Sequence, residues 1–193
     1  MSVGTEGYLM AHVFLSYVHE NSEIVNRLAA TLRSFGIETW LDRDQITPGS
    51  RWRDAIRKAI ENGAFFIACF SSEYNQRSKT YMNEELTLAV DELRQRPTDQ
   101  SWFVPVLLNE CEVPDRNIGG GDTLRSIQYV RLYEDWEKGI TQVLTVIQPG
   151  SAAVFRLIHE LFDNSARVRI RAADNLAQMG KIAEQALPRL RTS

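Results

Sequence analysis

Ala64-Phe65-Phe66-Ile67-Ala68-Cys69-Phe70 is an unbroken apolar run with no polar alternation. A strand of this kind is covered on both faces, as a central strand of a parallel sheet is when helices pack above and below it. Upstream, Trp52, Ile56, Ala59 and Ile60 recur at helical spacing and Gly63 closes that segment. Downstream, Met82, Leu86, Ala89 and Leu93 mark a second amphipathic helix over about 81–95. The run is thus a strand between two helices.

The same alternation extends in both directions. His12-Val13-Phe14-Leu15-Ser16 reads as the first strand, followed by a helix over about 22–35 with Ile24, Val25, Leu28, Ala29, Leu32 and Phe35 on one face. Asn21 can cap that helix and Gly36 can end it in the left-handed conformation. Glu38–Leu41 is a second strand, Trp102–Leu108 a fourth, Gln128–Leu132 a fifth, and a helix near 134–147 follows. Parallel strands need crossover connections, so five strands alternating with helices predict a doubly wound α/β sandwich. Pro149-Gly150-Ser151 punctuates the chain. Residues beyond it show no strand pattern and read as helices over about 152–163 and 166–179, with a third starting after Gly180.

Composition narrows the function classes. The chain has 193 residues, 44% hydrophobic and 24% charged, with a formal net charge of −3, which fits a folded domain with something small attached. Residues 1–150 carry fifteen Lys and Arg against twenty-one Asp and Glu, whereas residues 151–193 carry seven against four. A duplex binder concentrates basic charge on one face, so nucleic acid is not the expected direct partner. Cys69 and Cys111 lie far apart without a further Cys or His at ligand spacing, which suggests neither a metal site nor a disulfide framework. No apolar run reaches the roughly 18–20 residues of a membrane span, and the start has no leader pattern, so a cytoplasmic protein without a membrane partner is expected.

In an open parallel sheet, ligands bind at the carboxyl ends of the strands. After the first strand the chain reads SYVHENSE, with no glycine to bring backbone N–H groups to a phosphate, and neither G-x-G-x-x-G nor GK[ST] occurs. A phospho-receiver site would need an aspartate after strand three, where Ser71-Ser72 stands.

FLSY at 14–17, WLDRDQITPGSRW at 40–52, FSSEY at 70–74 and YMNEEL at 81–86 resemble, in order and spacing, the boxes of a Toll/interleukin-receptor (TIR) domain. The resemblance covers residues 12 to about 147. It implies a flavodoxin-like, five-stranded parallel sheet and one of two roles: an assembly module, or an oligomer-activated enzyme that cleaves NAD+ at its nicotinamide–ribose bond. DNSARVRIRAADNLAQMGKIAEQALPRL at 163–190 resembles a HEAT repeat. The expected organisation is an N-terminal extension at 1–11, a TIR domain at 12–148, and a short all-α HEAT-like segment at 149–193.

The family's catalytic glutamate falls on Glu85, four residues after the aromatic Tyr81. The helical wheel points the same way independently. At 100° per residue Glu85 lies about 60° from Met82, at the edge of the buried face, and Glu84 points roughly opposite. A first-turn glutamate can also simply complement the helix dipole. Tyr81 and Trp52 are candidates to stack on nicotinamide or adenine, with core packing the alternative for Trp52. Ser16, Asp42 and Ser71 belong to the carboxyl edge as candidate ribose or phosphate contacts, against a turn role for Asp42 and a cap role for Ser71. Arg43 and Arg51 could face pyrophosphate or be solvated loop charges. Ile46, Pro48 and Gly49 form the loop expected to meet a second TIR domain. The pattern departs from several enzymatic relatives at Val18-His19, where a basic pair can follow Ser-Tyr.

The resemblance implies NAD+ as substrate, no permanently bound cofactor, no metal, other TIR domains as homo-oligomer partners, and a further protein partner through the HEAT-like tail. Products would be nicotinamide with ADP-ribose or cyclic ADP-ribose, in a setting such as bacterial antiphage defence. A non-enzymatic TIR–TIR signalling module is the alternative.

Overall fold

A computed structural model of the chain describes residues 11–41, 54, 57, 58, 64–97 and 101–180. The elements are β1 (His12–Ser16), α1 (Ser22–Arg33), β2 (Glu38–Leu41), β3 (Phe65–Phe70), α2 (Ser72–Asn75), α3 (Tyr81–Leu93), β4 (Phe103–Leu107), β5 (Asn117–Gly119), β6 (Asp122–Thr123), β7 (Val130–Arg131), α4 (Trp136–Ile147), α5 (Pro149–Glu160) and α6 (Ala166–Gln178). Five strands form one parallel sheet in the order β2-β1-β3-β4-β7. The α/β class, the five strands and the flanking helices are as expected from the sequence. Of the helix expected over 52–63, the described residues Asp54, Arg57 and Lys58 are helical and exposed.

Alternation along the strands divides the core into two layers. On β3, Ile67 and Cys69 join one cluster while Phe66, Ala68 and Phe70 join the other. The first layer is closed by Val25, Leu28, Ala29 and Leu32 of α1, by Ile140, Val143 and Leu144 of α4, and by α5 and α6. The second is closed by Met82, Leu86, Ala89 and Val90 of α3, with Val113 and Leu124. In it, Phe14, Phe66 and Phe103 stand in register on three adjacent strands, stacked at centroid distances of 5.4 and 5.5 Å. Aromatic pairs of this geometry add about 0.5–1.5 kcal/mol each beyond area burial.

The last sheet strand is shorter than the expected Gln128–Leu132 and covers only Val130–Arg131. The reason lies in β4. Leu107 O accepts from Leu132 N, so Leu107, and with it Pro105 two residues earlier, turns its backbone polar groups toward β7. Pro105 has no N–H to offer on that side, and pairing starts at Val106. Two further elements were not anticipated: the one-turn helix α2 and the β5–β6 hairpin, whose turn holds Gly119, Gly120 and Gly121 at positive φ. The tail also begins earlier than 152, because Pro149 occupies the first helical position, where a missing N–H costs nothing.

Only Gln148 separates α4 from α5, and the tail shares the first core layer. Phe155 meets Phe35 edge-on at 5.8 Å, and Ala172 and Leu176 of α6 are buried with the same cluster. Val154, Leu157 and Ile158 of α5 are buried, whereas Phe162, just past it, is exposed. No helix among the described residues is long and apolar enough to cross a membrane.

Candidate functional site at the carboxyl edge

Helix α3 opens at Thr80, whose hydroxyl accepts from Met82 N and caps the first turn. Its apolar stripe decides which face of the helix meets the sheet, and that sorts the two glutamates: Glu85 is buried at 4% exposure, and Glu84 is exposed. Phe14 faces the α3 layer, so Ser16, two residues on, turns the same way at the end of β1. Ser16 Oγ donates to Glu85 Oε2 at 2.6 Å, and both residues are buried. Tyr81, one turn earlier, is 63% exposed. The edge therefore presents a buried carboxyl group with an aromatic ring standing outside it.

A polar network lies beside this pair. Ser71 caps α2 by accepting from Tyr74 N at 3.1 Å, and its hydroxyl donates to Asn21 Oδ1 at 2.7 Å. Asn21 does stand at the start of α1, but its side chain makes no capping bond there, contrary to expectation. That side chain is drawn across the sheet edge instead, donating also to Glu73 Oε2 at 3.4 Å. Asn109, just past β4, donates to the same Glu73 oxygen at 2.9 Å and accepts from Ser72 N at 2.8 Å. Glu73 is held at a pKa of about 2, chiefly by its own backbone N–H and then by Asn109, with smaller help from Ser71 and Asn21 against the opposing effect of burial. Its carboxylate is a fixed negative charge that ties three strand ends together.

A second group holds α3 from outside. Tyr74 Oη donates to Asn83 Oδ1 at 2.8 Å, and Arg116 donates to that oxygen at 2.7 Å and to Asn83 O at 3.2 Å. Burial pushes the Tyr74 hydroxyl up from its ordinary pKa, and Arg116 partly offsets it. Cys69 and Cys111 are free thiols pushed up by burial, to about 12 and about 11. Neither is poised as a nucleophile, since the thiolate is the reactive form.

The structure thus brings Ser16 and Glu85 together, leaves Tyr81 exposed beside them, and commits the Ser71 hydroxyl to a cap and to Asn21. His19 is exposed on the 3-10 turn after β1. Asp42, Arg43, Ile46, Pro48, Gly49, Arg51 and Trp52 lie outside the described residues. Sequence reasoning missed Asn109, Glu73 and Arg116. Asn109 stands just after the fourth strand, where the carboxyl-edge rule points; nothing local to Arg116 announces its role.

No curated protein matches the chain. Among solved structures, the one described as the crystal structure of a prokaryotic SEFIR domain is similar over 72% of this chain and 99% of its own, at 19% identity and a TM-score of 0.48. The family model described as TIR domain matches residues 13–144, so the chain belongs to the TIR domain family.

Proposed function

We propose that this TIR domain cleaves NAD+ at the nicotinamide–ribose bond, with Glu85 as the catalytic carboxylate. The observation that carries the reading is the buried Ser16–Glu85 pair at the carboxyl edge of the sheet, beside exposed Tyr81. Burying an ionisable group is unfavourable, and an apolar residue at position 85 would serve the core better. A carboxylate kept there at that cost is a candidate for chemistry.

The chemistry suits a single carboxylate. Nicotinamide leaves the cationic pyridinium as a neutral molecule, so its departure requires no general acid. Positive charge then develops on the ribose as in glycoside hydrolysis. A preorganised carboxylate stabilises that charge and holds the ribose hydroxyls. The Ser16 hydroxyl orients Glu85, and Tyr81 offers a face on which a base can stack. Asp42, Trp52, Arg43 and Arg51 remain candidate contacts, with Ile46, Pro48 and Gly49 at the surface that joins TIR domains, while Ser71, buried and bonded to Asn21 and Tyr74, serves the edge as a cap. Water attack on the ribosyl cation gives ADP-ribose, and attack by the adenine ring gives the cyclic product. Activation by TIR–TIR association, a partner for the tail and a role in antiphage defence belong to the same proposal.

One observation favours the other reading, a signalling or scaffold module: at 4% exposure Glu85 faces Ser16 rather than open solvent. A fluorogenic NAD+ analogue incubated with concentrated protein separates the two. The enzyme reading expects turnover that rises with protein concentration and falls about 10²–10³-fold in Glu85→Ala, while Glu84→Ala keeps most of it. Full turnover in folded Glu85→Ala sinks the assignment, and no turnover in the wild type favours the module.

A further inference from the structure

We infer that Arg116, acting through Asn83 together with Tyr74, is the positioning clamp that sets Glu85 against Ser16; the inference rests on reading Glu85 as the reactive carboxylate. Asn83 lies two residues from Tyr81 and two from Glu85. On a helix that spacing places its side chain about 200° from theirs, on the far side of the first turn. Arg116 makes three bonds to α3, two of them to this turn: Nη2 to Asn83 Oδ1 at 2.7 Å and Nη1 to Asn83 O at 3.2 Å, with Nη1 to Thr87 Oγ1 at 3.3 Å on the next. Tyr74 Oη donates to the same Oδ1 at 2.8 Å, so both acceptor sites of that oxygen are filled.

The clamp is itself anchored. Arg116 N donates to Pro114 O at 3.0 Å and Arg116 O accepts from Leu124 N at 2.9 Å, which fixes the Arg116 backbone at the base of the hairpin. Tyr74 is buried on α2, directly after β3. Apolar packing by Met82, Leu86 and Ala89 holds α3 on the sheet but is non-directional, and it permits small rotations and slides. Directional bonds from a planar fork restrict both motions. The first turn is therefore gripped from outside by Arg116 and Tyr74 and met from inside by Ser16. A 2.6 Å contact across 69 residues of sequence depends on that register.

The test measures the carboxyl carbon of Glu85 by 13C NMR, assigned with Glu85→Gln, alongside kcat and KM for NAD+ cleavage. The variants are Arg116→Ala, Arg116→Lys, Tyr74→Phe and Arg125→Ala. Arg125, just past the hairpin, ties its far end to the chain before it through Val113 O and the Glu112 carboxylate, and these side-chain bonds do not run to α3, so it reports mere loosening of that region. Arg116→Ala is expected to shift the Glu85 resonance and its titration and to lower kcat by up to about 10²-fold with KM changed less, since small misplacements cost that much. Arg116→Lys and Tyr74→Phe should give partial effects, and Arg125→Ala none on the resonance. An unchanged Glu85 resonance in Arg116→Ala and Tyr74→Phe overturns the clamp, as does an equal shift in Arg125→Ala. If Arg116→Ala does not fold, Arg116→Lys and Tyr74→Phe decide alone. Absence of NAD+ cleavage in the wild type fails the enzyme reading, while the resonance still decides whether the clamp exists.

Discussion

Ser16 Oγ lies 2.6 Å from Glu85 Oε2, joining the end of β1 to the first turns of α3 in the interior of the sheet edge. Each residue makes the other tolerable there: a serine hydroxyl and a carboxylate buried apart would both need partners. The pair is also the point at which stability and chemistry can be separated by experiment.

Removing one member should cost more than removing both. Ser16→Ala takes a donor from a buried carboxylate and should cost about 2 kcal/mol. Ser16→Ala/Glu85→Leu replaces the polar pair by apolar groups and should recover most or all of that loss. Urea midpoints for the wild type, both single variants and the double variant complete the cycle. Purely additive losses would contradict the interaction.

Glu73 predicts an acid limb in stability. Its pKa is lowered from 4.5 in the unfolded chain to about 2 in the fold. A depressed carboxyl pKa stabilises the fold above the unfolded value, and the contribution drains away as pH falls from about 4.5 toward 2. Glu73→Gln should flatten the dependence of the urea midpoint on pH in that window and leave the Glu85 neighbourhood in place. An identical slope in the variant would remove Glu73 from the account.

The shared core layer predicts that the tail and the sheet unfold together. Phe155, 2% exposed and edge-on to Phe35, should cost about 3–5 kcal/mol when cut to alanine. Phe162→Ala, at a 63% exposed position two residues past α5, should fall within about 0.5 kcal/mol of the wild type. Calorimetry of Phe155→Ala should show one transition at lower temperature. Two separated transitions would mean that the layer is not cooperative.

Gly139 is a helix-interior glycine with a packing reason. A Cβ there would come within 2.7 Å of Leu132 Cδ1 and 3.2 Å of Leu132 Cα, where α4 presses on the residue after β7. Alanine ordinarily gains about 1 kcal/mol over glycine inside a helix. Here Gly139→Ala should instead lower the melting temperature, because Leu132 is buried and its backbone has little room to retreat. A rise in melting temperature would show that α4 shifts freely.

Much of this molecule is written in local pattern. The apolar run before Ser71 and the helical stripe of Met82, Leu86 and Ala89 set a parallel α/β sheet and turned Glu85 inward and Glu84 out, because strand and helix periods are properties of the backbone itself. Pro105 also carries the reason β7 is short, though that reason is visible only once β4 is known to have β7 on one side. Tertiary structure alone decided the rest. Ser16 meets Glu85, Asn21 leaves its capping role for Ser71 and Glu73, Asn109 reaches Glu73, and Arg116 finds Asn83 only after strand order and register bring remote segments to one edge. No period in a sequence encodes such contacts, since they form between elements whose separation along the chain carries no information about their distance in space.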